Sequence, residues 1–284
     1  MTAPTTKKMT AVPNLPPLEP RARFADLFAA EWIKLWSLRS TPWAFAATVV
    51  AVLATTIAGA VGDSQNYTTY DAPHQEYFRM FGAVGDSFSS GAATMLILGV
   101  GAIGAITVLG EYTSGMIRTT FTAVPARRSV MAAKVAVVTV ATTVFGVALV
   151  LVSYGVTQAI LSGDHASAGL GHHGVIRMLV ASSVLAPVSA LVGMGLAAVI
   201  RHSVLTIVVT IALFFILPSL LDSQKHLTVS ILHMTILQAW GRIGFEQSTT
   251  ARFPWTVTGA CLVLAIWGLV SLVLAIFTSN HRDQ

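Results

Sequence analysis

The chain alternates between long stretches that hold no Asp, Glu, Lys or Arg and short polar connectors. Six such stretches run over 40–62, 87–110, 135–163, 178–200, 202–221 and 253–281, each 20 to 29 residues long. A helix needs about 20 apolar residues to cross the hydrocarbon of a bilayer, so every one of them can span. A charge placed at mid-bilayer costs about 2.5–3.5 kcal/mol on insertion scales, which gives the gaps their reason. The pattern predicts an all-α integral membrane protein with six transmembrane helices, at approximately 42–62, 88–109, 135–160, 177–200, 203–221 and 254–278. They form one transmembrane domain over 21–284, preceded by a Thr/Pro-rich, disordered tail at 1–20.

Three connectors carry patterns of their own. At 100° per residue over 23–39, Phe24, Leu27, Phe28, Trp32, Leu35 and Leu38 share a face, with Asp26, Lys34 and Ser37 opposite. This predicts an N-terminal interfacial amphipathic helix on the inner leaflet that turns into the first span at Thr41-Pro42. Glu31 falls inside the apolar arc. Either it bends to the headgroups or pairs with Lys34, or it anchors the helix to a cytoplasmic loop or partner. The connector 63–86 is acidic and aromatic, with Asp63, Asp71, Glu76, Asp86, Tyr67, Tyr70, Tyr77, Phe78 and Phe81, and reads as a solvated outer loop with an interfacial aromatic belt. Within 222–252 the uncharged run between His226 and Arg242 is only 15 residues, too short to span comfortably, so this outer segment is expected to be re-entrant or surface-lying.

Composition and charge narrow the class. The chain is 54% hydrophobic and 10% charged, with mean hydropathy +0.72, whereas soluble domains carry about a quarter charged residues. The net charge of +5 comes from basic residues flanking apolar runs. They act as topology determinants and anionic-lipid contacts rather than as a nucleic-acid surface. With the N-terminus inside, 12 Lys and Arg residues fall inside and 5 outside, of 17. Both termini are therefore expected to be cytoplasmic, in a multi-pass protein of the cell membrane. Cys261 is the single cysteine, so no intrachain disulfide framework can form. No apolar signal sequence follows Lys7 and Lys8, and the site-like Ala58-Gly59-Ala60 ends a run too long for a signal core.

Candidate chemistry is mostly subtractive. Gly99, Gly101 and Gly104 have dinucleotide-fingerprint spacing, but in mid-span they read as small residues for close helix approach, as do Gly193 and Gly195. Pro187 and Pro218 can kink their spans. His165, His172 and His173 sit in a Gly-rich outer stretch that reads as a flexible loop rather than a metal site. No phosphate loop, H-E-x-x-H or G-x-S-x-G occurs, so no enzyme activity and no cofactor are expected of this chain. The charge-free stretches hold no Asp or Glu for a proton relay. Energy is then expected to enter from outside the bilayer.

That directs attention to the polar connector 110–134, GEYTSGMIRTTFTAVPARRSVMAAK. Ile117, Phe121 and Val124 can share one helical face with Arg118, Thr119 and Thr122 opposite, until Pro125 breaks the helix. Through Glu111, Gly115, Arg118, Thr119, Pro125, Arg127 and Lys134 the segment resembles the signature between the second and third spans of ABC-2 type exporter permeases. EWIKLWSLRSTPW, with Glu31, Trp32, Lys34 and Arg39, resembles that family's N-terminal connecting helix. The resemblance implies a permease subunit of an ATP-driven exporter, with 110–134 as a coupling loop inserted into a separate ATP-binding subunit. It also implies a second permease chain, identical or not, a path lined by spans one, two and five, and a loop shape fixed by Glu111 and Arg118. The uncharged spans suit a hydrophobic or amphipathic cargo. The competing expectation is a polytopic membrane protein that transports nothing: an immunity factor, a sensor-associated anchor or an assembly scaffold.

Overall fold

In a computed structural model the described residues are 23–113, 115, 127–164, 167–221, 225–245 and 253–281. Among them six helices are long and apolar enough to cross a membrane: Ser40–Thr69, Ala83–Thr113, Arg128–Leu161, Val175–Ile200, Ser203–Leu220 and Val257–Thr278, here spans 1 to 6. No strand occurs among the described residues. In hydrocarbon a backbone must satisfy its own polar groups, and the helix does so within each segment. The N-terminal helix Phe24–Ser37, span ends Glu111 and Lys134, and the turn between spans 4 and 5 gather at one end of the bundle, the loop end. The connectors after spans 1, 3 and 5 gather at the other, the hairpin end.

Spans 2 and 4 form the spine. Span 4 packs on spans 2, 3 and 6, and most of its residues are buried. Small residues set how closely it sits: a Cβ on Gly193 would overlap the backbone carbonyl of Gly101, and one on Gly104 that of Ala190. Gly101, Gly104 and Gly193 thus let spans 2 and 4 touch backbone to backbone, while Gly99 faces Thr48 of span 1 and Gly195 faces Ser271 of span 6, as expected of small residues in helix packing. Pro187 lies inside the unbroken helix Val175–Ile200. Span 5 is less regular, with a π-helical turn at Ala212–Ile216 followed by Pro218 at the start of the next turn.

Three expectations change at the element ends. The break after the N-terminal helix falls at Leu38–Arg39, and Thr41-Pro42 lie in the first turn of Ser40–Asn66. Proline is tolerated there because the first turn's N–H groups have no helical acceptor. Stacked rings make this corner: Phe28 on Trp32, Trp36 on Phe45 at 5.6 Å, and Phe45 edge-on to Phe145 of span 3 at 4.7 Å. The helices also overrun the charge-free windows. Asp63, Asp86, Glu111 and Lys134 all fall inside the helices of spans 1, 2 and 3. The absence of carboxylates therefore holds for the middles of the spans and not for their ends, where a charge can reach headgroups or a partner. Finally, the connector after span 1 is folded into local structure, although Tyr77 and Phe81 stay exposed. It forms the short helix Ala72–Tyr77, buries Phe78 against Tyr67 of span 1, and holds Asp63 by a hydrogen bond from the Tyr70 hydroxyl at 2.9 Å.

The connector after span 5 is a pair of short helices, His226–His233 and Ile236–Gly244. The second is amphipathic and packs against spans 4 and 6. Its Trp240 is buried and donates from Nε1 to Ser182 Oγ of span 4 at 2.9 Å. Arg177 donates to the carbonyls of Arg242 at 2.9 Å and Phe245 at 3.2 Å, and Arg242 donates to that of Trp255 at 2.7 Å. Arg177 thus satisfies carbonyls at the end of Ile236–Gly244, where a helix runs out of N–H donors, and Arg242 ties that helix to the residues just ahead of span 6. Arg177 and Arg242, read from sequence only as outer charges, are the locks of this hairpin.

Gly193→Ala should destabilise the chain by about 1–3 kcal/mol, the usual range for forcing an extra group into a packed contact. Gly59→Ala, where nothing lies within 4 Å, should be neutral or slightly stabilising. Thermal melting of the two variants in detergent checks the difference.

Candidate functional site

The N-terminal helix places Glu31 and Lys34 three residues apart, on one face of an α-helix. Across the loop end, Glu111 stands in the last turn of Ser90–Thr113, and Lys134 in the second turn of Arg127–Leu161. The four side chains close into one network. Lys34 Nζ donates to Glu31 Oε1 at 2.7 Å and to Glu111 Oε1 at 3.3 Å. Lys134 Nζ donates to Glu111 Oε1 at 2.9 Å and to Glu31 Oε2. Each carboxylate meets both ammoniums, and two negative charges offset two positive ones.

Burial makes the network consequential. Glu31 and Lys134 are each 4% exposed and Glu111 8%. Beside them lies a cavity of about 130 Å³ lined by Leu35, Leu38, Thr107, Val137 and Val138 as well as the four charged residues. Lys34 sits at the rim, its side chain 30% exposed. Burial works to lower the pKa of the Lys34 ammonium, but the hydrogen bond it donates to Glu31 and the charges of Glu111 and Glu31 outweigh burial and raise it above the ordinary 10.5. A group whose folded value is raised stabilises fully below its unfolded value and loses that effect as pH rises through the folded one. The Lys34 contribution is therefore intact through the neutral range and fades only in strong alkali.

Glu31 pairs with Lys34, as one sequence reading expected, and also meets Lys134, so it ties the N-terminal helix to the start of span 3. Of the other residues singled out, Gly115 has φ +68°, a left-handed turn that favours glycine, and its N–H donates to Tyr112 O at 3.3 Å where the chain leaves span 2. Trp32 and Arg39 are exposed. Trp32 stands between Phe28 and Trp36 in the ring stack and outside the charged network. Arg127 begins the helix of span 3, and its side chain lies outside the described residues. Ile117, Arg118, Thr119, Phe121 and Pro125 also lie outside them. Among the described residues no group of three His, Cys, Asp or Glu could hold a metal ion.

Sequence reasoning missed that Lys34 and Glu111 touch, 77 positions apart. The signal was present in pieces: a glutamate on an apolar face, and a glutamate directly after a charge-free stretch. It also missed the neighbour of Glu111. The ring of Tyr112 lies under the guanidinium of Arg201, which is 5.0 Å from the ring centre. Four charges shared among three helices can hold those helices in one register and move them together.

Compared with known proteins, residues 27–218 match the family described as ABC-2 family transporter protein, from the N-terminal helix to the end of span 5. No curated protein matches the chain.

Lys134→Met should destabilise by about 3–5 kcal/mol, because it leaves two buried carboxylates facing one lysine. Adding Glu31→Gln to it should cost less than the sum of the two single changes. Detergent melts of both singles and the double check this; strict additivity would contradict a shared network.

Proposed function

We propose that this chain, which belongs to the ABC-2 transporter family, is the permease subunit of an ATP-driven exporter worked through the connector between spans 2 and 3. The observation that carries the reading is the charged network at the connector's base. Glu111 precedes the connector, Lys134 follows it, and both are bound to the N-terminal helix through Glu31 and Lys34. A push on residues 112–133 then reaches spans 2 and 3 and the N-terminal helix together, because separating any of them strands a buried charge.

In this reading the loop end faces the cytoplasm and meets a separate ATP-binding subunit, with Ile117, Arg118, Thr119, Phe121, Pro125 and Arg127 at the contact. The spans need no carboxylate in their middles, since the work is done on the loop. A second permease chain completes the path. Span 5 leaves Val204, Val208, Ile211 and Phe215 exposed, and span 1 leaves Val50 and Ile57 exposed, apolar faces suited to lipid or to that second chain. The cargo would be hydrophobic or amphipathic.

The test is the tagged chain co-expressed with a candidate ATP-binding protein from the same genome, purified and reconstituted in liposomes. Glu111→Gln should leave co-purification intact and reduce ATP hydrolysis by the complex about tenfold, the effect of about 1.4 kcal/mol on coupling. Glu111→Ala and Arg118→Ala variants that both hydrolyse and transport like the unsubstituted chain would exclude the coupling role. A chain that never co-purifies with an ATPase would favour a membrane protein that transports nothing.

A further inference from the structure

Both flanks of the connector meet a third element, the last turn of span 6. On the span 2 side, Tyr112 lies under Arg201, and Arg201 Nη2 donates to the carbonyl of Thr278 at 3.1 Å. On the span 3 side, the guanidinium of Arg128 lies over the ring of Phe277, 5.1 Å from its centre. Phe277 and Thr278 are consecutive residues of Val257–His281. Two arginines from different elements thus bring the two ends of one connector onto one helical turn, outside the residues matched by the family.

Arg201 is held unusually. It follows span 4, and it is the only residue other than glycine with positive φ among the described residues, at 55°. In that conformation its N–H closes span 4 on Ala197 O at 2.9 Å, and its Nε donates to Ala198 O at 3.3 Å. Capping span 4 needs only these local bonds. The reach to Thr278 and the stack on Tyr112 tie span 4 to span 6 and to the connector, which capping does not require. A guanidinium can bond carbonyls in its plane while an aromatic ring covers its face, whereas an ammonium is a point charge without a face to stack.

We propose that the last turn of span 6 is where the two ends of the connector converge, and that Arg201 and Arg128 are positioning residues that carry the displacement of those ends into spans 4 and 6. The proposal rests on the connector being the place where the ATP-binding subunit acts. The charged network joins that connector to the N-terminal helix and span 3. The two arginines join it to the half of the bundle that carries the helical hairpin, since Ile236–Gly244 packs mainly on spans 4 and 6.

The experiment reads motion at the far end of the molecule, in the reconstituted complex with its ATP-binding subunit. Cys261 is first replaced by Ser, and spin labels are placed at Tyr77 and Leu227, which are 62% and 79% exposed at the hairpin end. In the otherwise unsubstituted complex, ATP should shift the label-to-label distance distribution. Arg201→Lys keeps the charge but loses the stack, and should reduce the shifted population about fivefold while co-purification and melting temperature stay unchanged. Tyr112→Leu should do the same, and the double substitution should be no worse than either single. An undiminished shift in Arg201→Lys, Arg128→Lys and Tyr112→Leu would overturn the proposal and leave the coupling reading standing. So would an unsubstituted complex in which ATP moves nothing at the hairpin end. Loss of co-purification or early melting in these variants would overturn it by making the arginines braces of the fold. Failure of the unsubstituted chain to bind any ATP-binding subunit would remove the coupling reading first, and this proposal with it.

Discussion

Two glutamates that share two lysines across three helices hold the loop end together. Glu31, Glu111 and Lys134 are almost fully buried, so none of them can exchange its partner for water at low cost. The geometry is consequently all or nothing: displacing the N-terminal helix, the end of span 2 or the start of span 3 by more than a hydrogen-bond length strands a charge. Apolar packing alone would let such elements slide by degrees. The aromatic stack from Phe28 to Phe145 adds bulk to the same corner, but it is the charge network that ties the position of the connector to the N-terminal helix.

From this end the bundle stiffens and then softens. Spans 2 and 4 touch backbone to backbone at Gly101, Gly104, Ala190 and Gly193, which leaves them little freedom to move against one another. Span 5 lies outside that spine, is mostly exposed, and is interrupted by its π-helical turn and Pro218. A cavity of about 80 Å³ separates that turn from the hairpin helices, lined by Leu213, Phe214, Pro218, Ile231 and Trp267. The bundle thus combines a closely packed axis in spans 2 and 4 with a less regular, cavity-flanked span 5.

Much of this was legible in the chain. The six spans follow from charge-free length, and the glycine runs were correctly weighed as packing because their position in mid-span excluded a nucleotide. The amphipathic face of residues 24–38 was legible too, down to the misplaced Glu31. What stayed hidden depends on contacts between distant positions. A glutamate at 31 and a lysine at 134 have no periodic relation, so their pairing exists only once the helices pack. Helix ends were misjudged for a related reason: Asp63, Glu111 and Lys134 end an apolar window without ending a helix, because a hydrogen bond from Tyr70 or ion pairs keep charge tolerable there. Arg177, Arg201 and Arg242 were counted as topology markers because sequence shows their charge and not the carbonyls they bind. The loop residues from Ile117 to Pro125, named on resemblance, lie outside the described structure and stand as proposals.

The central claim is that the charge network transmits force through its pairing rather than through the particular residues at each position. Inverting all four charges together, with Glu31→Lys, Lys34→Glu, Glu111→Lys and Lys134→Glu, preserves every attractive contact, whereas Glu111→Lys alone places three lysines around one glutamate. The direct measurement is ATP hydrolysis by the reconstituted complex carrying either change. The account predicts that the single reversal abolishes coupled hydrolysis and that the fourfold inversion restores a substantial part of it. A single reversal that works as well as the unsubstituted chain, or an inversion no better than the single reversal, would contradict it.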